Sequence, residues 1–244
     1  MPDNGFGPSH WFEPIADHLG AAYLRYSFTK GTTQECTGLC ALTGLAAGMR
    51  ALDVGCGPGR HASALATQGV SVHGVDISAR FVELARDGAP DGATFERGDA
   101  RSLGFDAEFD VAYALCQGAF GLLGGADDDE AEVLDGMRRA VRPGGRVLVS
   151  AFSAYYSVKY QTDASFDAST GVAHEHTEIR DESGRGAPTE LWTTCFTPRE
   201  LRLLARSVGL IVDGVYSGTP GDYGANPPTT ESAEFLLLAT RPGG

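Results

Sequence analysis

The sequence predicts an α/β fold built on a mostly parallel sheet with helices on both faces. Three observations carry that prediction. Apolar strand-like runs alternate with helix-like segments from residue 49 to residue 152, a glycine-rich turn follows the first run, and two late strands are joined by a loop that holds no helix. The chain has 244 residues, of which 42% are hydrophobic. That suits one domain with a sizeable core and excludes a mainly disordered chain.

The elements follow in order. MRALDVG (49–55) is an apolar run ending in glycine, and GRHASALATQG is a helix closed by Gly69 in the left-handed position. VSVHGVDIS (70–78) is the second strand, with Ser78 placed to cap SARFVELARDG. ATFERGD (93–99) and FDVAYALC (109–116) are the third and fourth strands. The next helix opens on Asp127, Asp128, Asp129 and Glu130. It closes on Arg138, Arg139 and Arg142 before a Pro143-Gly144-Gly145 stop, so its charges oppose the helix dipole. GRVLVSAF (145–152) is a buried fifth strand. Residues 153–197 break the rhythm: the segment is polar and aromatic, with strand-like VAHEHTEIRD and TELWTTCF around ESGRG. Thr197-Pro198-Arg199-Glu200 is a capping box with proline at the first helical position, so TPRELRLLARSVG is a helix. LIVDGVYSG and AEFLLLATRP then form an antiparallel hairpin. The resulting plan is one domain with a helical cap (1–45), a core (46–152 and 198–244) and an insertion (153–197) that forms a lid over an acceptor.

Composition narrows the function. A formal net charge of −13 opposes a nucleic-acid-binding role, which needs a basic surface. No apolar run reaches the ~18–20 residues of a membrane span, and the N-terminus lacks the pattern of an export signal. Five scattered cysteines fit a reducing, cytoplasmic compartment better than a disulfide framework, and Cys36 and Cys40 have no second pair to complete a zinc site.

The chemistry concentrates at Asp53-Val-Gly55-Cys56-Gly57-Pro-Gly59-Arg60, where a strand runs through three alternate glycines into a helix. Glycine lets the backbone turn sharply and approach a ligand. The third glycine comes too early for the G-x-G-x-x-G pattern of a nicotinamide dinucleotide site. Asp76 ends the second strand, 23 residues after Asp53, where a carboxylate accepts from both ribose hydroxyls. Asp99 ends the third strand, a further 23 residues on, placed for an exocyclic amine with a backbone N–H beside it. Three acidic strand ends in register describe a slot shaped for a nucleoside.

DVGCGPGR, VDIS, GDA, the FDVAYAL strand, RPGG-RVLVSAF and the terminal hairpin together resemble a class I S-adenosylmethionine-dependent methyltransferase, over roughly residues 45–152 and 197–243. The resemblance implies a seven-stranded sheet of order 3-2-1-4-5-7-6 with only the last strand antiparallel. It implies that Gly55, Cys56 and Gly57 pack on the methionine part of the cofactor, that Asp76 holds the ribose, that Ile77 lies on the adenine, and that Asp99 and Ala100 read its edge. Cys116 and Gln117, ending the fourth strand, would lie beside the sulfonium methyl. Cys116-Gln117-Gly118-Ala119-Phe120 differs from the Asn/Asp-Pro-Pro-aromatic motif of nucleic-acid N-methylating relatives, so a small-molecule acceptor is expected. In the cap, Tyr23, Arg25, Tyr26 and Lys30 are candidates for the methionine carboxylate. A non-catalytic cofactor-binding protein of the same fold is the alternative.

His174 and His176 alternate in one predicted strand and so share a face, which suits a general base, a metal pair or plain polar surface. They and Gln117 are the expected catalytic residues. With no third ligand identifiable, no metal is predicted. Tyr155, Tyr156, Tyr160 and Trp192 flank them as possible walls for an organic acceptor.

Overall fold

The computed structural model describes residues 10–116, 118–124, 129–219 and 221–243. Gln117, Asp127 and Asp128 lie outside the described residues. The chain enters through helix α1 (Glu13–Leu19), two 3-10 turns (Gly20–Arg25 and Ser27–Gly31) and α2 (Thr32–Thr43), which is the predicted cap. The alternating core follows: β1 (Arg50–Val54), α3 (Arg60–Ala66), β2 (Ser71–Asp76), α4 (Ala79–Asp87), β3 (Ala93–Arg97), β4 (Phe109–Ala114), α5 (Asp129–Ala140) and β5 (Val141–Ser153). Ser78 caps α4 by accepting from the Phe81 N–H, as its position in the sequence predicts. The insertion contains α6 (Ala154–Tyr160), β6 (Ser165–Asp167), β7 (Val172–Arg180) and β8 (Gly186–Phe196). The core resumes with α7 (Pro198–Ser207), β9 (Ile211–Thr219), the short β10 (Asp222–Tyr223) and β11 (Glu234–Thr240). Both bonds of the Thr197/Glu200 capping box are present at α7.

The sheet runs β3-β2-β1-β4-β5-β11-β9-β10. With β9 and β11 as the sixth and seventh core strands, this is the expected order, extended by one short edge strand. Strands β1 to β5 pair in parallel, while β11 is antiparallel to both β5 and β9. Alternate side chains feed two cores. Leu52 and Val54 join the α5 and α7 face, with Val133, Leu134, Met137 and Leu201. Ala51 joins the face covered by α2, α3 and α4, with Leu39, Leu65 and Val82. Each such buried leucine, valine or methionine contributes about 1.5–3 kcal/mol.

Two features depart from the sequence reading. Strand β5 starts at Val141, because the Gly144 N–H and the Gly145 carbonyl bond to Arg241 and draw the Pro-Gly-Gly segment into the sheet. The insertion, read from sequence as two strands, also holds α6 and β6. Strands β6, β7 and β8 form an antiparallel sheet, and the end of β8 pairs in parallel with the end of β5 through Phe152–Cys195 and Ser153–Phe196. The insertion therefore stands on the carboxyl edge of the main sheet, where ligand crevices of open α/β sheets lie.

Candidate active site

The turn after β1 holds Gly55, Gly57 and Gly59 at φ +71°, +52° and +78°. A Cβ on Gly55 would sit 2.2 Å from the carbonyl carbon of Gly118, and one on Gly59 would sit 2.7 Å from the Phe95 ring. Close packing therefore requires these two glycines, whereas Gly57 is required by its backbone angle. Asp76 locks the turn. Its Oδ2 accepts from the Gly57 N–H and its Oδ1 from the Ser78 N–H, both at 2.8 Å. Burial raises its pKa to about 6 against these two bonds. Asp99 ends β3 and accepts from the Arg101 guanidinium (2.7 Å) and backbone N–H (2.9 Å), and Arg101 holds its pKa below the usual value.

Gly55, Asp76, Ile77, Asp99 and Ala100 line one cleft, with His10 and Phe12 from the cap and Ala119 and Leu122 on its other walls. Five of the predicted cofactor residues thus meet in one slot. Two acids, Asp76 and Asp99, and apolar side chains line it, an acceptor set that fits the hydroxyls and amine of a nucleoside. Gly57 meets the slot through its bond to Asp76. Cys56 is buried, with its thiol in the core, so only its backbone is available to a ligand. Contrary to expectation, Asp53 does not line this slot: its side chain is buried, and burial pushes its pKa to about 7.

A second, larger cavity adjoins the first, and Phe12 and Leu122 line both. Its walls come from the cap (Ile15, Leu19, Tyr23, Tyr26), from the insertion (Thr177, Ile179, Leu191, Thr193) and from the ends of β4, β5 and β11 (Cys116, Phe152, Glu234). Tyr26 therefore faces this space rather than the nucleoside slot. Arg25 bonds the Glu182 carbonyl at the surface and Lys30 is exposed, so neither reaches the slot.

A buried polar network supports the floor. Glu35, with no exposure, binds the Arg60 guanidinium (2.5 Å) and His61 Nε2 (2.7 Å) and accepts from the Gly221 N–H (3.1 Å). Burial opposes its ionisation, but the His61 bond and the Arg60 charge hold its pKa down at about 2. Arg60 also donates to the Cys116 sulfur (2.8 Å), which lies 3.5 Å from the Tyr223 hydroxyl. Tyr223 in turn donates to Glu234 Oε2 (3.0 Å). Burial pushes the Cys116 thiol up to about 12, so it stays protonated at neutral pH. Cys116 has φ +51°, a strained conformation of the kind that collects at functional sites. The expected catalytic residue Gln117 follows it, outside the described residues.

The two histidines are not in this space. His174 and His176 project from the face of β7 opposite Thr177 and Ile179, and neither lines the second cavity. His174 stacks on Trp192 at 4.9 Å, and both histidines approach Glu190 of β8 to 3.5 Å. The aromatics of the insertion also have other partners. Tyr155 packs edge-on to Phe235, Tyr156 packs on Tyr160, and Trp192 packs against Trp11. The sequence reading missed Glu35, Tyr223, Glu234, His10 and Phe12. Arg60 stood in the glycine motif without a role.

The glycine turn, the acids ending β2 and β3, and the sheet with its single antiparallel core strand are those of the class I S-adenosylmethionine-dependent methyltransferase fold. A family model described as a methyltransferase domain matches residues 51–145. Cypemycin N-terminal methyltransferase from a Streptomyces species is 29% identical over 211 residues, 80% of this chain and 84% of that one. The 27-O-demethylrifamycin SV methyltransferase of Amycolatopsis mediterranei is 37% identical over 156 residues, 58% of this chain and 55% of that one. Among solved structures, the CcbJ methyltransferase of Streptomyces caelestis has the same fold, with a TM-score of 0.77 at 20% identity over 98% of this chain and all of that one. CalS10, an amino pentose methyltransferase of Micromonospora echinaspora solved with S-adenosylmethionine bound, has a TM-score of 0.64 at 21% identity, covering 97% of this chain and all of that one.

Proposed function

We propose that the protein transfers the methyl group of S-adenosylmethionine to a nitrogen of a small, largely apolar amine held in the second cavity. One observation carries the reading. Among the described residues lining that cavity Glu234 is the buried charged side chain, since Glu178 turns its carboxylate outward to Arg180; no lysine, arginine or histidine lines it, and most of the wall is hydrophobic or aromatic. A carboxylate in an apolar pocket selects a cationic partner. Support also comes from two relatives whose names specify an N-terminal and an amino pentose methyltransferase, acting in natural-product chemistry in the second case.

In this reading Asp76 and Asp99 hold the ribose and adenine, and Gly55, Cys56 and Gly57 offer backbone to the methionine part. The bound cofactor supplies a methyl group on a positively charged sulfur. Phe12 and Leu122, common to both cavities, exclude water between donor and acceptor. Glu234 anchors the ammonium form and takes its proton, leaving the nitrogen lone pair free to attack. Tyr223 orients Glu234 through the 3.0 Å bond. Much of the rate then comes from positioning, and no further base is required. The lid and the cap determine which acceptor fits. The net charge of −13 and the five free cysteines support a small-molecule acceptor and a cytoplasmic setting. Among the described residues no helix is long and apolar enough to cross a membrane.

Glu234→Gln tests the assignment. It should retain cofactor affinity and lower kcat/KM for an amine acceptor about 10- to 100-fold, the value of a hydrogen bond to a charged group. An unchanged kcat/KM in a folded variant would remove Glu234 from the mechanism.

A further inference from the structure

We propose that His174, His176 and Glu190 form a binding site for a divalent transition-metal ion of the zinc class on the outer face of the lid. The strand register builds it. His176 pairs directly with Glu190 across β7 and β8, and His174 pairs with Trp192, so both imidazoles and the carboxylate share one face. His174 Nε2 lies 3.5 Å from Glu190 Oε2, and His176 Nδ1 lies 3.5 Å from Glu190 Oε1. All three ligand atoms fall within 4.8 Å of one another. Bonds of about 2.0–2.1 Å in a tetrahedral shell put ligand atoms roughly 3.3 Å apart, so small side-chain rotations close the site.

Two further observations point to a ligand. His174 Nε2 is shielded from solvent and makes no hydrogen bond. Its ring is also held in place, stacked on Trp192 at 4.9 Å with an interplanar angle of 4°, while Trp192 packs edge-on against Trp11 of the cap at 5.4 Å. An ion at this point would satisfy the orphaned nitrogen without reorganising the ring. Two imidazoles and one carboxylate favour Zn²⁺, Ni²⁺ or Cu²⁺ over Mg²⁺ or Ca²⁺, and three protein ligands leave one position for water. The other histidine–acid–cysteine cluster, Glu35, His61 and Cys116, is not a rival, because the Arg60 guanidinium already binds both Glu35 and Cys116 there. The proposed ion would tie β7 to β8 behind the strand face that walls the second cavity, clamping the lid rather than joining the chemistry.

The test uses the full-length protein, stripped with chelator and titrated with Zn²⁺ by calorimetry. Cu²⁺ quenching of tryptophan fluorescence provides a second readout, since Trp192 adjoins the site. Expected are one ion per chain, and at least a tenfold weaker Kd, by the scale of ligand-shell losses, in both His176→Ala and Glu190→Gln. Both residues are exposed, so these variants should fold, which circular dichroism checks. His73→Ala, at a two-group His–Glu contact of the same 3.5 Å length with no third ligand, should change nothing. Failure of Zn²⁺ to bind, or binding and quenching that persist unchanged in His176→Ala and Glu190→Gln, overturns the proposal.

Discussion

Replacing Asp76 by asparagine separates two consequences of one buried carboxylate. Asp76 is 7% exposed, and burial raises its pKa from 3.8 to about 6. An acid raised in this way holds its proton more tightly folded than unfolded. The resulting penalty is absent below pH 3.8, grows between the two values and is complete above pH 6, at about 3 kcal/mol. Asparagine removes that penalty. Its amide oxygen, however, accepts only one of the two N–H bonds from Gly57 and Ser78, and the other donor, left unpaired, costs about 1–3 kcal/mol. Urea denaturation at neutral pH should therefore find the free variant as stable as wild type, or more stable by up to about 2 kcal/mol. Cofactor affinity moves the opposite way. Losing a charged acceptor for the ribose hydroxyls should cost about 1.5–3 kcal/mol, roughly 10- to 150-fold in Kd by calorimetry. Wild-type affinity should also fall as the pH drops below about 6, where Asp76 takes up its proton, and the variant should lack that fall. An unchanged Kd would refute the ribose assignment. A stability loss of several kcal/mol would refute the account of the buried charge.

Other expectations follow from the same geometry. Gly55→Ala places a Cβ 2.2 Å from the Gly118 carbonyl carbon at a backbone φ of +71°, and should lower stability by at least about 2 kcal/mol in thermal denaturation. A wild-type Tm would contradict the packing of that turn. Glu35 has a depressed pKa, so its ion pairs stabilise the fold above pH 4.5 and the contribution is lost as pH falls towards 2. Glu35→Gln should cost up to about 3 kcal/mol at neutral pH and flatten the acid limb of stability against pH. The double variant His174→Asn/His176→Asn should retain methyl transfer in metal-free buffer, and a loss beyond about tenfold would restore the base role that the strand pattern suggested.

What the sequence revealed was local or rhythmic. Strand ends and glycine spacing are written in short runs, so the residues that line the slot, Gly55, Asp76, Ile77, Asp99 and Ala100, were legible in the sequence. Asp53 misled because an acid before a glycine turn reads alike whether it faces a ligand or the core, and only the fold distinguishes these. Glu234 and Glu35 carried no signal. Glu234 reaches the cavity because β11 lies between β5 and β9, and Glu35 becomes an anchor only when α2 packs on Arg60 and His61. The lid histidines illustrate the opposite case. Alternation correctly put them on one face, but which face meets the cavity depends on how β8 joins β5. Glu190, the third member of their cluster, lies 14 residues beyond His176 and becomes its neighbour only through the β7–β8 register.

The most direct test of the central claim uses methyl-labelled S-adenosylmethionine and a panel of apolar amines, each matched with its hydroxyl counterpart and read by mass spectrometry with fragmentation. The two-cavity account, with Glu234 as the anionic anchor, predicts label on nitrogen in at least one amine, loss of that product in Glu234→Gln, and no transfer to the matched hydroxyl. Label found on oxygen or carbon while the matched amine stays unmodified would contradict it.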